Sequence, residues 1–67
     1  MTRGTVKWFN GSKGFGFIAP EGGGPDVFVH HSEVQEYSYQ GIPDKQPVEF
    51  EINQSDKGPQ ARSVRVL

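Results

Sequence analysis

A chain of 67 residues makes one domain at most, and at that size only about 60% of the unfolded surface is buried on folding. There is no cysteine, which excludes a disulfide frame and a thiolate zinc site and fits a reducing compartment. The formal net charge of −1 excludes attachment to a polyanion by bulk positive charge alone.

The first apolar segment, GTVKWFN, alternates as a strand and ends at Asn10-Gly11, a pair suited to positive φ and hence to a turn. It lacks the apolar run of a signal peptide or a membrane span, so the expected location is cytoplasmic, with no membrane partner. Short runs separated by nine glycines and five prolines follow, and no window of 11 residues keeps a helical period. The spacing predicts five strands, over 4–10, 14–19, 26–30, 47–53 and 60–66. The stretch PEGGGPD reads as a loop, and HSEVQEYSYQGIPDKQP as a long connection in which Ser32 caps one helical turn. NQSDKGPQ supplies the last turn. The expected fold is all-β, a single domain over 1–67 built as a five-stranded antiparallel barrel, which leaves no open sheet edge.

Side chains alternate along a strand, so the faces can be assigned. Val27 and Val29 point one way, as do Val48, Phe50 and Ile52. With Val6, Ile18, Val64 and Val66 they make the expected core, plugged by Val34 and Ile42 from the connection. If Ile18, Val27 and Val29 point inward, then Lys13, Phe15, Phe17, Phe28 and His30 point outward. Alternation alone leaves Trp8 open: it pairs Trp8 with Val6, and only a bulge puts Lys7 and Trp8 on one face.

Contiguous exposed rings mark an interaction surface. Rings interleaved with lysines suit single-stranded nucleic acid, because each base can stack while the cations follow the phosphates. Charge is also unevenly placed. Residues 1–20 and 57–67 carry bases and no acid, and residues 21–56 hold all eight acids with only Lys45 as a base. If the chain ends meet, one face is basic although the whole is slightly acidic. The competing reading is a barrel that binds a protein through the same rings, distinguished by a lack of response to oligonucleotides at low salt.

The blocks GTVKWFN, KGFGFI, DVFVHHS and KGPQA stand in the order and spacing of the bacterial cold-shock proteins, and the chain resembles that family over essentially its whole length. The resemblance implies a barrel of the oligonucleotide/oligosaccharide-binding (OB) type that binds single-stranded RNA and DNA. KGFGFI and VFVHH look like the family's two ribonucleoprotein motifs. By position the implied contacts are Lys7, an outward Trp8, Lys13, Phe15, Phe17, Phe28 and His30. Departures also stand in the site: His31 and Tyr39 occupy positions where the family commonly has phenylalanine, and Lys57 replaces an arginine of some members. The implied role is an RNA chaperone active in transcription antitermination and translation in the cold, acting as a monomer without a cofactor or small-molecule substrate.

Other motifs do not lead to chemistry. Gly14-Phe15-Gly16-Phe17-Ile18-Ala19 fits a dinucleotide fingerprint formally, but Pro20 and a glycine loop follow where that motif needs a helix. His30 and His31 are adjacent at the end of a predicted strand, where neighbours point to opposite faces, with no third metal ligand nearby in sequence. Glu49 and Glu51 share a face and read as the solvated side of a strand. No nucleophile–base pair is evident, so no enzyme is expected.

Overall fold

The computed structural model describes residues 1–35 and 41–67. Five strands appear in chain order: β1 (Thr2–Asn10), β2 (Phe15–Pro20), β3 (Val27–His30), β4 (Pro47–Ser55) and β5 (Gly58–Val66), with a 3-10 turn at His31–Glu33 after β3. They close into a barrel in the order β1-β2-β3-β5-β4. Each predicted strand is present, and the ends differ by one or two residues. Among the described residues no helix is long and apolar enough to cross a membrane.

An odd number of strands cannot close with every pair antiparallel. β1 is antiparallel to both β2 and β4, and β2–β3 and β4–β5 are antiparallel too. β3 and β5 must therefore run the same way where they meet, and their Phe28↔Gln60 pairing is parallel. The barrel expected as antiparallel thus has one parallel closure, held by a single pair.

The core consists of Val6, Ile18, Val27, Val29, Val34, Ile42, Val48, Phe50, Ala61 and Val64, with Phe9 packed against it. Seven of these side chains are fully enclosed, and Phe50 is the largest. Burying a ring of that kind contributes about 2–3 kcal/mol. Among the described residues no polar or charged side chain is buried.

Two expected core positions are not in it. Ile52 is 42% exposed and Val66 44% exposed. β4 pairs with β1 only at Pro47–Phe50, so Ile52 lies past the point where β4 leaves β1. Val66 is the last residue of β5. The register of β4–β5 also shifts between Glu49↔Arg65 and Glu51↔Arg62. Ser63 sits in that shift with φ of 52°. The bulge breaks strict alternation and brings Ala61 inward, which period-two reasoning from Val64 did not.

The helical turn differs in detail from expectation. His30, not Ser32, is its cap: the His30 ring accepts from the Ser32 backbone N–H. Glu33 lies in its first turn, near the positive end of the turn's dipole.

Candidate functional site

The site is built on β1, β2 and β3. Two glycines of β2 and the turn before it make room for it. Gly16 pairs with Phe9, and a Cβ there would run into the Trp8 carbonyl and the Phe9 ring. Gly14 takes φ of +78°, and a Cβ on it would strike the His31 ring. A side chain at either position would push β1 or His31 away.

With the glycines inside, Phe15 and Phe17 face out, half-buried against their neighbours. Phe17 lies opposite Phe28, and Phe15 opposite His30. On β1 the register jumps from Val6↔Ile18 to Trp8↔Phe17 and leaves Lys7 unpaired. This is the bulge that alternation required. It turns Val6 inward and leaves both Lys7 and Trp8 exposed. The turn before β4 supports it: Val6 N–H donates to the Gln46 carbonyl at 2.9 Å, and Lys45 N–H donates to the Val6 carbonyl at 2.6 Å.

Four rings then form one connected face. Trp8 meets Phe15 edge-on at 5.8 Å and Phe17 at 5.4 Å between centroids. Phe28 stacks with Phe15 at 5.9 Å and meets Phe17 edge-on at 5.7 Å. Each ring packs against the next while the face stays in contact with solvent.

One end of the face carries Lys13, His30 and His31. Asn10 Oδ1 builds the turn there, accepting from Ser12 N–H at 3.1 Å, Ser12 Oγ at 2.8 Å and Lys13 N–H at 3.0 Å. Sequence reading noted Asn10 only as a turn former. Its side-chain role was available from the tendency of asparagine to bond the backbone two residues on. Lys13 is exposed and has no ion pair among the described residues. His31 does not diverge from His30 as strand neighbours would. It has left the strand for the 3-10 turn, and the two rings lie 4.4 Å apart. Among the described residues no group of three metal-ligating side chains occurs.

The other end carries Lys7 and Lys57. Lys7 Nζ is paired with Asp26 at 3.0 Å, a partner that sequence reading missed because 19 residues separate them. Lys57 occupies the β4–β5 turn, where its N–H donates to Ser55 Oγ at 3.3 Å. Because Gln60 pairs in parallel with Phe28, that turn lies at the Asp26 end of β3. Tyr39 lies outside the described residues.

The basic face expected from the meeting of chain ends is not formed. β1 and β5 do come together on either side of β4, but Arg3 and Arg65 both pair with Glu49 there, at 3.8 and 3.2 Å. Arg62 pairs with Glu33 at 3.8 Å. Glu49 points outward by the same alternation that buries Val48 and Phe50, so it sits between the arginines and offsets them.

The family model for the 'Cold-shock' DNA-binding domain matches residues 2–67. This chain belongs to the cold-shock domain family. Cold-shock proteins similar to it include the probable cold shock protein A of Mycobacterium tuberculosis, 60% identical over 67 residues, and that of Mycolicibacterium smegmatis, 58% identical, each aligned over the whole of both chains. The cold shock-like protein CspD of Escherichia coli is 52% identical over 64 residues, covering 96% of this chain and 86% of the relative. Among solved structures, the Drosophila Unr CSD456 fragment matches with a TM-score of 0.77 and 25% identity. That alignment takes in 98% of this chain and 26% of the Unr fragment. The barrel is of the OB type, and the family binds nucleic acid and carries a cold-shock role.

Proposed function

We propose that this cold-shock domain binds single-stranded RNA and DNA with little sequence preference and acts as an RNA chaperone. The observation that carries the reading is the connected outward face of Trp8, Phe15, Phe17 and Phe28, with ring centroids 5.4–5.9 Å apart. Bases stacked on such rings contribute about 1–3 kcal/mol each by alanine substitution, without regard to base identity. A duplex hides its base faces, so the same surface discriminates against it. Lys13 and Lys57, and Lys7 once it leaves Asp26, are the cations available to the phosphates. His30, His31 and Tyr39 complete the proposed contacts.

The mechanism is linkage. A protein that binds unpaired strands and not paired ones moves the melting equilibrium of RNA by mass action, with no nucleotide hydrolysis and no chemical step. Cold over-stabilises RNA secondary structure, and such a binder opposes it. Antitermination and translation in the cold follow as the processes served, in the cytoplasm and by the monomer.

The test is a titration of Trp8 fluorescence, the chain having one tryptophan, with heptathymidylate and with a blunt duplex. Quenching by the single strand alone is expected. The logarithm of affinity should fall with salt by about 0.7 per neutralised phosphate, giving a slope of roughly 2 for three lysines. An unchanged emission at low salt, or equal binding of the duplex, overturns the reading.

A further inference from the structure

Asn10 closes β1 and opens the turn to β2, with Gly11 next in the chain. Its backbone carbonyl accepts from Gly14 N–H at 2.8 Å. Its side-chain Oδ1 accepts from Ser12 Oγ at 2.8 Å, Lys13 N–H at 3.0 Å and Ser12 N–H at 3.1 Å. All the side-chain contacts go to Oδ1, and among the described residues Nδ2 has no partner. Gly11 lacks a Cβ that would shield its nitrogen from the Asn10 amide carbon. Three donors therefore surround the one oxygen on which charge develops when that nitrogen attacks.

We propose that Asn10 is a self-modification site: the turn promotes its deamidation through Gly11, and the carboxylate formed weakens single-strand binding at Lys13. The weakening rests on the single-strand reading, whereas the modification does not. In the first step the Gly11 nitrogen gives its proton to solvent and bonds to Asn10 Cγ. The Cγ–Nδ2 bond breaks and ammonia leaves, which closes a succinimide. Water then adds. Opening at Cγ restores the chain as aspartate, and opening at the Asn10 backbone carbonyl gives isoaspartate. An aspartate accepts the same three bonds, which are stronger to a carboxylate than to an amide, so the turn persists. Its charge arises beside Lys13, which has no ion pair among the described residues. Lys13 then has an acid at hand and less attraction left for phosphate. The chain's other asparagine, Asn53, is followed by Gln54 and lies inside the β4–β5 pairing opposite Gln60, so it serves as an internal reference.

For the test, freshly purified protein is held folded in mildly alkaline buffer and its peptide masses are followed over time. A gain of one mass unit at Asn10 is expected well before any change at Asn53. Conversion no faster than at Asn53 overturns the proposal. Ser12→Ala removes one donor and should slow conversion about fivefold, because a bond to developing charge is roughly twice as strong as one to a neutral amide. An unchanged or faster rate in that variant shows that the bonds restrain the amide, and overturns the proposal. Asn10→Asp supplies the product directly. It should melt as the wild type does and lose heptathymidylate affinity at low salt, with the salt slope reduced by about 0.7. The aspartate form isolated from aged wild-type protein by ion exchange should behave in the same way. Unchanged affinity and slope in both also overturn the proposal. Fresh protein that binds no strand overturns the single-strand reading and the loss of binding with it, while the mass record still decides the modification.

Discussion

The two sides of the barrel use the same ingredients differently. On β1–β2–β3 the outward rings of Trp8, Phe15, Phe17 and Phe28 form one face, and Lys13 stands beside them with no ion pair among the described residues. On β4 and its neighbours the outward positions include paired charges, and Arg3 and Arg65 converge on Glu49. The first side leaves ring faces and a cation for a partner, whereas the second meets its own charges internally. Net charge therefore says little about binding here. What matters is whether a cation already has a carboxylate within reach.

The comparison breaks most severely at Phe50, which is wholly inside. Phe50→Ala should cost about 3–5 kcal/mol. A chain of this size has total stability of that same order, so a thermal melt by circular dichroism should show a largely unfolded protein. Phe17→Ala removes a ring of the same size from the outer face. It should weaken heptathymidylate binding by roughly 5- to 150-fold, the equivalent of about 1–3 kcal/mol, and shift the melt far less than Phe50→Ala does. Equal unfolding by both variants would mean that the outward ring is structural.

Charge changes sharpen the contrast at smaller scale. Lys13→Gln should reduce the salt slope of single-strand binding by about 0.7, while Arg65→Gln leaves the slope as it is. A matching loss at Arg65 would show that the Glu49 side also contacts phosphate. Smallest of all, Glu49→Gln should lower stability by no more than about 1 kcal/mol, as partly exposed ion pairs do, with affinity for the oligonucleotide unchanged. Tighter binding by that variant would show that Glu49 restrains a second basic surface.

Much of this was legible because period two is a strong signal. Val27 and Val29 against Phe28 and His30, and Phe15 and Phe17 against Gly14, Gly16 and Ile18, assign their faces from the sequence alone. The signal fails wherever the register slips. Lys7 in β1 and Ser63 in β5 both sit at such slips, and the residues around them, Trp8 and Ala61, were undecided or missed. It also fails where a strand ends. His31, next after the predicted strand 26–30, was expected to diverge from His30 as a strand neighbour does, and the 3-10 turn brings their rings together instead. Ion pairs such as Lys7–Asp26 depend on which strands become neighbours, and neither charge nor spacing in the chain encodes that.

β1 and β5 both lie against β4, with Thr2 opposite Phe50 and Val66 opposite Val48. Two inter-strand spacings and two residues of rise put the start and finish of the chain about 12 Å apart. A linker of four or five flexible residues spans that distance, so the polypeptide can be cyclised, or reopened at the exposed Gly22–Gly24 loop, without cutting a strand.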